Sequence, residues 1–419
     1  MDLHVGVVLA ALILVASLAS IELGLSAAVI EIGLGVVAGN LFGIDRPGWV
    51  IYLAGFGGIL LTFLAGAEVD LAVMRERAKE SFLIGGLSFL APFLGALLLC
   101  RYALGWEWPA AQIAGIALST TSLAVVYAVL VETGLTRTVI GKIIMASTFV
   151  TDFGTAAGLT LLFVRPGLDM LWFALASLAA IVGAPIVFPR FVRRYGDRVI
   201  EPEIKLLFLV LVALMWMAHR AASHALLPAF VLGLALSRFF HEHRELQRKI
   251  RVVAFAFITP IFFLNGGMAI SIPLLGANLA LFGILLAVKL ATKFAGVYPI
   301  SLLFIRREAT YTTLLMSTGL TMGTISSLFG YQQGVIDQAQ FSVLVAVVVA
   351  SAILPTFLAQ RFFHPKHALE ALGSEVEPEV LDGTSISPPG APPGPSSQDV
   401  DPAMIPPAGS EVGEGAGMS

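Results

Sequence analysis

The apolar segment from Gly141 to Phe163 contains one carboxylate, Asp152, near its middle and next to the hydroxyl of Thr151. The segment is long enough to cross a bilayer as one helix. At ~1.5 Å of rise per residue, Asp152 lies roughly 15 Å from the basic end of the segment at Lys142, close to the bilayer midplane. An ionised acid at that depth costs at least ~2.5–3.5 kcal/mol on insertion scales, so its default interpretation is functional. The alternative is an Asp hydrogen-bonded to a neighbouring helix for packing alone.

Two lysines also lie inside an apolar segment rather than in a loop. Lys289 and Lys293 are four residues apart in a predicted span at 275–304, so they share one face of a helix. Two ammonium groups in one dry region repel each other. At least one is therefore expected to face a water-filled cavity, to pair with an acid or to be neutral. Snorkelling or a structural ion pair is the alternative, and it fits Lys289 better than Lys293.

A polytopic membrane protein is needed to position these groups. Of the 419 residues, 57% are hydrophobic and 13% are charged, a composition that no soluble domain of this length has. The basic residues lie mostly in short loops, so nothing indicates nucleic-acid binding, and the one cysteine excludes a disulfide framework or a thiolate metal site. The apolar segments predict an all-α fold with thirteen spans, at 3–21, 25–42, 49–67, 81–104, 110–131, 140–164, 168–188, 203–219, 224–240, 252–271, 275–304, 308–331 and 340–360.

The distribution of Lys and Arg tests this count. With the N-terminus outside, nineteen basic residues fall in inner loops and four in outer loops, which is the asymmetry of a correct topology. We therefore expect a multi-pass protein of the cell membrane with a cytoplasmic C-terminus. Residues 1–368 form the membrane domain in this interpretation. Residues 369–419, acidic and rich in Pro and Gly, form a disordered cytoplasmic tail that is too short for a nucleotide-binding domain.

Two of the predicted spans contain clusters of hydroxyl side chains. Span 5 contains Ser-Thr-Thr-Ser at 119–122, and span 12 contains STGLTMGTISS at 317–327. Such clusters allow a helix to unwind where the freed backbone lines a cavity. If spans 1–6 and 8–13 are two repeats joined by span 7, the two clusters occupy equivalent positions, which is typical of a transporter site made of discontinuous helices. Close helix packing is the alternative explanation of these small residues.

Seven short motifs occur along the chain in a specific order. They are IEIGLGVVAGNLFG, LTFLAGAEVDL, TTSLAVVYAVLVETG, FVTDFG, LPAFVLGLALS, FITPIFFLNGGM and TKFAGV. In this order the chain resembles bacterial monovalent cation:proton antiporters of the NapA and Kef type along essentially all of its thirteen spans. The resemblance implies inverted repeats with two crossed discontinuous helices, as in the NhaA-like antiporter fold. It also implies a homodimer, with interface helices from about 1–67 and 203–271 in part and mobile core helices from about 81–164 and 252–360.

The resemblance further assigns roles to the residues that could do chemistry. Asp152 would bind the cation and the proton, and Lys293, with Lys289 nearby, would supply the core charge. The neutral oxygens of the ion site would come from the first helix break and from the neighbour of the acid: Thr120, Thr121, Ser122 and Thr151.

The chain departs from some of these relatives. Sodium-specific electrogenic relatives carry two adjacent acids where this chain has Thr151 and Asp152, and Kef-type relatives carry Gln-Asp. Span 12 lacks the Arg or Glu found near its break in many relatives. With one acid, H+ and Na+ or K+ compete for a single carboxylate, because burial favours its protonated form and a bound cation its ionised form. We therefore expect electroneutral one-for-one exchange by alternating access, with Lys293 structural or paired with Asp152.

Three further polar residues lie in the motifs. Glu31 and Glu68 either line a water funnel or hold helices together, with the structural role preferred, and Asn265 caps or packs. The absence of HExxH, GxSxG or a paired Asp argues against an enzyme, and no cofactor is expected. A channel would need repeated polar rings, which the sequence lacks. A crossed-helix symporter of an organic anion is the main alternative, and solute uptake without proton counterflow would favour it.

Overall fold

The protein is described by a computed structural model that covers residues 3–363, apart from 24–25, 70, 134, 136–137, 164–166, 197, 222 and 224, together with residue 365. All regular secondary structure in these residues is helical. The α-helices, α1 to α18 in chain order, are Leu3–Leu23, Ala27–Asn40, Gly48–Ala67, Leu71–Glu76, Ala78–Leu98, Trp108–Ser119, Leu123–Glu132, Val139–Leu162, Leu168–Tyr195, Pro202–Arg220, Leu226–Glu242, Arg244–Val253, Thr259–Met268, Ile272–Ala277, Leu279–Phe304, Ala309–Met316, Thr321–Gln332 and Gln338–Phe362.

Ten helices of the described residues are long and apolar enough to cross a bilayer. A multi-pass, all-helical membrane protein is therefore confirmed. Three of the predicted spans are not among the ten. Helix α2 has 14 residues and α11 has 17, and the predicted span at 308–331 is divided between α16 and α17. The count of thirteen stays a prediction, because hydropathy identifies an apolar stretch even where its helix is short or interrupted.

Helix α8 carries Asp152 and is continuous over its 24 residues. The helix begins after Thr138, whose Oγ1 accepts a hydrogen bond of 3.1 Å from the backbone N–H of Gly141. This side chain satisfies one of the N–H groups that the first turn leaves without a partner. At ~1.5 Å per residue the helix is about 36 Å long, enough to cross the hydrocarbon core with Asp152 well inside it.

Helices α2, α3, α11 and α13 pack together through glycines. Gly66 of α3 and Gly233 of α11 face each other so closely that a methyl group on either would overlap the backbone of the other helix. Gly35 of α2 and Gly267 of α13 form a second pair of the same kind. Small residues let helix backbones approach this closely in membranes, where packing rather than water drives association. We call α2, α3, α11 and α13 the glycine-packed group.

A second set of helices surrounds Asp152. Helix α5 packs against α6, α8 and α15, while α17 packs against α6 and α18. The division into interface and core domains and the homodimer stay predictions. The predicted tail at 369–419 lies outside the described residues.

Candidate functional site

The first interruption, at residues 120–122, separates α6 from α7. Thr120 has an extended backbone, with φ −65° and ψ 153°. The hydroxyls of Ser119 and Thr120 donate to the carbonyl oxygens of Ile116 and Ala117, at 2.8 and 3.1 Å. These are carbonyls that the end of a helix leaves without a backbone partner, so local hydroxyl bonds favour ending the helix here.

The second interruption, at residues 317–320, separates α16 from α17. It has the same local chemistry, because the hydroxyls of Ser317 and Thr318 donate to the carbonyl oxygens of Thr313 and Leu315, both at 2.7 Å. Both interruptions lie where the hydroxyl clusters predict them. The crossed arrangement of inverted repeats stays a prediction.

The two interruptions contact each other. The backbone N–H of Ser122 donates to Thr318 O at 3.2 Å, and Thr121 Oγ1 donates to Met316 O at 2.9 Å. Thr120, Thr121 and Ser122 are all buried. Unwound backbone from two separate parts of the chain is thus brought to one place inside the protein, with its polar groups satisfied across the contact.

Lys293 of α15 ties its helix to the first interruption. Its Nζ is buried and donates to Ser88 Oγ at 2.8 Å, to Ser119 O at 2.8 Å and to Thr121 Oγ1 at 3.0 Å. Three acceptors match the three N–H groups of an ammonium. Ser119 ends α6, so the ammonium lies at the negative end of that helix dipole.

Asp152 is 2% exposed, and its Oδ1 accepts no hydrogen bond from the described residues. The carboxylate and Lys293 interact electrostatically, but these two described residues form no ion pair. The Thr151 hydroxyl donates to Thr148 O within its own helix at 2.7 Å. A buried carboxylate oxygen with no donor is suited to take a proton or a cation. Of the two roles expected for Lys293, the direct pair with Asp152 is wrong for this conformation, because hydroxyls and a carbonyl occupy the ammonium instead.

Lys289 is one turn away from Lys293 and also fully buried, yet its Nζ has no hydrogen-bond partner among the described residues. The Nζ is in contact with the position that a Cβ would occupy on Gly319, in the second interruption. Snorkelling is therefore wrong for Lys289, because the side chain points into the protein and its nitrogen is not exposed.

The remaining predicted residues lie on α2, α3 and α13. Glu31 is 4% exposed. Glu68, directly after α3, pairs with Arg251 at 3.4 Å and so links α3 to α12. Burial raises the pKa of the Glu68 carboxyl, and the positive charges of Arg251 and His241 offset part of that rise. Asn265 is fully buried, but neither atom of its amide has a hydrogen-bond partner among the described residues, so a capping role is wrong.

A cavity of about 680 Å³ lies between α3, α10 and α13 on one side and α17 on the other. Its walls are mostly apolar and include the rings of Phe262 and Phe329, with His219 and Gln332 among the polar lining.

Sequence reasoning missed two contributors to the site. Ser88 accepts a hydrogen bond from Lys293, and Gly319 contacts Lys289. Ser81 and Ser88 are seven residues apart on α5, so a polar stripe along an otherwise apolar helix was a usable signal for the first. No pattern in the sequence indicates the contact between Gly319 and Lys289, because these residues are thirty positions apart, one in the second interruption and the other in α15.

Comparisons with known proteins agree with this architecture. The chain is 28% identical over 332 residues to the probable Na(+)/H(+) antiporter 3 of Methanocaldococcus jannaschii, covering 75% of this chain and 84% of that protein. It is 23% identical to the Na(+)/H(+)-K(+) antiporter GerN of Bacillus cereus, covering 84% of this chain and 94% of that protein.

The fold is similar to that of a solved structure, the sodium proton antiporter MjNhaP1 of Methanocaldococcus jannaschii at pH 8. The TM-score is 0.63 at 13% identity, covering 89% of this chain and 100% of that one. The profile of a transporter family, described as sodium/hydrogen exchanger, transmembrane, matches residues 7–363. Since this match covers most of the chain, the protein belongs to the transmembrane sodium/hydrogen exchanger family.

Proposed function

We propose that this protein exchanges Na+ or K+ for protons across the cell membrane, with both ligands competing for Asp152. The names of the relatives support this choice of substrates, since they are described as Na(+)/H(+) and Na(+)/H(+)-K(+) antiporters. The protein acts as a transporter and not as an enzyme, because the cycle only binds and releases ions and the one bond that forms and breaks is the O–H bond of the protonated carboxyl. It needs no cofactor and no nucleotide, since the gradient of one ion, the proton or the cation, drives the transport of the other.

The observation that carries the proposal is the buried, unpartnered Oδ1 of Asp152 in a polar region inside an apolar helix bundle. A bare carboxylate is costly there, and either a proton or a dehydrated cation neutralises it. Thr120, Thr121 and Ser122 supply neutral oxygens near the first interruption, and Thr151 lies beside the acid. Hard monovalent cations take such oxygen ligands.

We further propose that the exchange is electroneutral, one proton for one cation. In that cycle Asp152 is either protonated or bound to a cation, so its net charge is the same in both states. Lys293 keeps its proton throughout, which its three hydrogen bonds support, since they occupy every N–H of the ammonium. The hydroxyl of Thr151 cannot replace a second acid, because it carries no charge.

Alternating exposure follows from movement of the helices around Asp152 relative to the glycine-packed group. The two interrupted helices cross in this scheme, and the protein works as a homodimer with its N-terminus outside and its C-terminus in the cytoplasm. The mostly apolar cavity between α3 and α17 supports a movable boundary at that place, because few polar contacts have to be broken there.

The proposal is tested with purified protein in liposomes that contain a pH-sensitive dye. Adding Na+, K+ and Li+ in turn is expected to dissipate an imposed pH gradient for at least one of them. Asp152→Asn should lower the rate at least ~100-fold without loss of folding, since an amide takes up no proton and carries no negative charge to neutralise a cation. The matched control is Asp169→Asn, which changes an exposed acid in the first turn of α9.

Retained exchange in Asp152→Asn would overturn the assignment of the carboxylate. Uptake of an organic solute without proton counterflow would favour the symporter instead. Clamping the membrane potential tests the stoichiometry, since each net charge moved is worth ~2.3 kcal/mol per 100 mV. A rate that rises steeply with potential would exclude electroneutral exchange.

A further inference from the structure

Lys289 is a buried polar group that the competition at Asp152 does not use. Its Nζ is fully buried and has no hydrogen-bond partner among the described residues. A buried amino group without a partner is costly, so its retention calls for a specific purpose. Its position is defined by Gly319, because a Cβ built on that glycine would overlap Lys289 Nζ and would lie 3.0 Å from Thr120 Oγ1 and 3.3 Å from Ser351 Oγ.

The backbone of the second interruption is weakly bonded at Gly319. Thr318 O accepts from Ser122 N at 3.2 Å, whereas Gly319 O, among the described residues, accepts one long hydrogen bond of 3.5 Å from Ser351 Oγ. The amino group of Lys289 lies beside this weakly bonded residue.

Lys293 is bonded to the first interruption, whereas Lys289 lies beside the second with Thr120 of the first also close to it. Lys293 binds Ser119 O at the carboxyl end of α6, and Lys289 lies beside Gly319, three residues beyond the carboxyl end of α16. A positive group is favourable at such an end because the last carbonyls of a helix carry partial negative charge. Both lysines come from one face of α15, so a single helix supports both interruptions.

We propose that Lys289 is a positioning residue for the cation site, acting through the backbone at Gly319 and not by touching the ion. Its amino group holds Gly319 in place when a cation bound at Asp152 is also coordinated by oxygens of the interrupted segments. The second interruption and the adjoining end of α16 are hydrogen-bonded to Ser122 and Thr121. A displacement of the second interruption therefore also displaces the oxygens that the first interruption offers to the cation. This inference rests on the proposed cation:proton exchange.

Two different substitutions should then weaken cation binding in the same way. Lys289→Met keeps the length of the side chain and removes the amino group. Gly319→Ala keeps the lysine and occupies the place of its nitrogen. Gly319 does not have a positive φ, so alanine fits its backbone, and the atom displaced is the far end of a flexible side chain. Folding is expected to survive both changes.

The experiment measures the apparent KM for the transported cation and the maximal rate in liposomes, at two pH values. Both variants should raise KM about tenfold, which corresponds to a loss of ~1.4 kcal/mol in binding free energy, with a smaller change in the maximal rate. The double variant should be no worse than either single one, because both remove the same contact. Lys289→Arg, which keeps the charge and donors, should recover part of the affinity of Lys289→Met. Gly283→Ala is the matched control, since it lies on the same helix with open space around it.

A purely electrostatic role gives the opposite pattern. Removing a positive charge near a cation site would lower KM in Lys289→Met, while Gly319→Ala, which keeps the charge, would change little. That pattern overturns the inference about Lys289, and so does a KM in both variants that is the same as in Gly283→Ala. Neither result contradicts the proposed function, which depends on exchange by the wild type and its loss in Asp152→Asn. Absence of exchange in the wild type would instead defeat the proposed function itself.

Discussion

The two interrupted segments have the same local chemistry but are supported in different ways. At 120–122 the ammonium of Lys293 has three hydrogen bonds, one of them to Ser119 O. At 317–320 the nitrogen of Lys289 lies against Gly319 and has no hydrogen bond within the described residues. The two lysines are equally buried and share one helix face, so the contrast comes from their surroundings.

The difference indicates how each segment contributes. A fully bonded buried ammonium rigidifies what it touches, and removing it leaves several acceptors without partners. An unbonded one lowers the stability of the folded state and retains donors for a different arrangement of its neighbours. We therefore interpret the first interruption as the part of the site that is fixed before a cation binds, and the second as the part that Lys289 holds in place only once a cation is bound.

The largest expected effect is a difference in protein stability between the variants of the two lysines. Lys293→Met should lower the free energy of unfolding by about 3 kcal/mol, because Ser88, Ser119 and Thr121 each lose a buried partner. Lys289→Met should leave this free energy unchanged or raise it, since no partner is left unpaired and a costly buried amino group is removed. Thermal unfolding of both variants in one detergent measures this. Equal losses would remove the contrast between the two interruptions.

A smaller effect is expected at the contact between them. Thr121→Val keeps the shape of the side chain but removes the bond to Met316 O and the acceptor for Lys293. We expect a loss of about 1–2 kcal/mol in stability and about a tenfold rise in the apparent KM for the cation. Ser326→Ala is the control, since that buried hydroxyl bonds only to Met322 O in its own helix among the described residues. An equal effect of the two variants would mean that the contact between interruptions is unimportant.

The smallest expected effect is on the pH dependence of stability, and it comes from Glu68, which lies outside both interruptions. Burial raises the pKa of Glu68 above its ordinary value of 4.5, so the folded protein holds this proton more tightly than the unfolded chain does. Its contribution to stability is then complete below pH 4.5 and is lost as pH rises through the folded-state pKa.

Thermal unfolding between pH 4.5 and 8 should therefore show a weaker decline with pH in Glu68→Gln than in the wild type. Glu245→Gln is the control, because that carboxylate is 70% exposed in its pair with Arg248. A steeper decline in Glu68→Gln would mean that the ion pair with Arg251 dominates over burial.

The sequence predicts the class of the fold and the places where two helices are interrupted. Asp152 stands out because an acid in a long apolar run is costly unless it has a function, and the hydroxyl clusters mark both interruptions. Local sequence is sufficient for these predictions because a bilayer excludes most backbone structures other than helices and closed barrels. The number of spans is harder to predict, since α16 and α17 are one apolar stretch but two helices.

The partners of the two lysines could not be predicted. Their spacing shows that they share a face, but it does not show that one meets Ser88 and Thr121 while the other meets Gly319. That outcome depends on how α5, α6 and α17 lie around α15, which is a matter of three-dimensional packing rather than of any local pattern. A direct pair with Asp152 was the simplest expectation from charge alone, and it failed because closer oxygens were available.

The glycine contacts between α3 and α11 have a mechanical consequence. Where Gly66 and Gly233 meet, the two backbones touch without intervening side chains, so neither helix can slide along the other without a collision. In the proposed exchange cycle, helix motion leaves that junction intact and takes place where surfaces meet through side chains and empty space, as at the cavity beside Phe262 and Phe329. The glycines therefore hold α3 and α11 in direct contact, whereas large aromatic rings line the cavity at which we expect the helices to move.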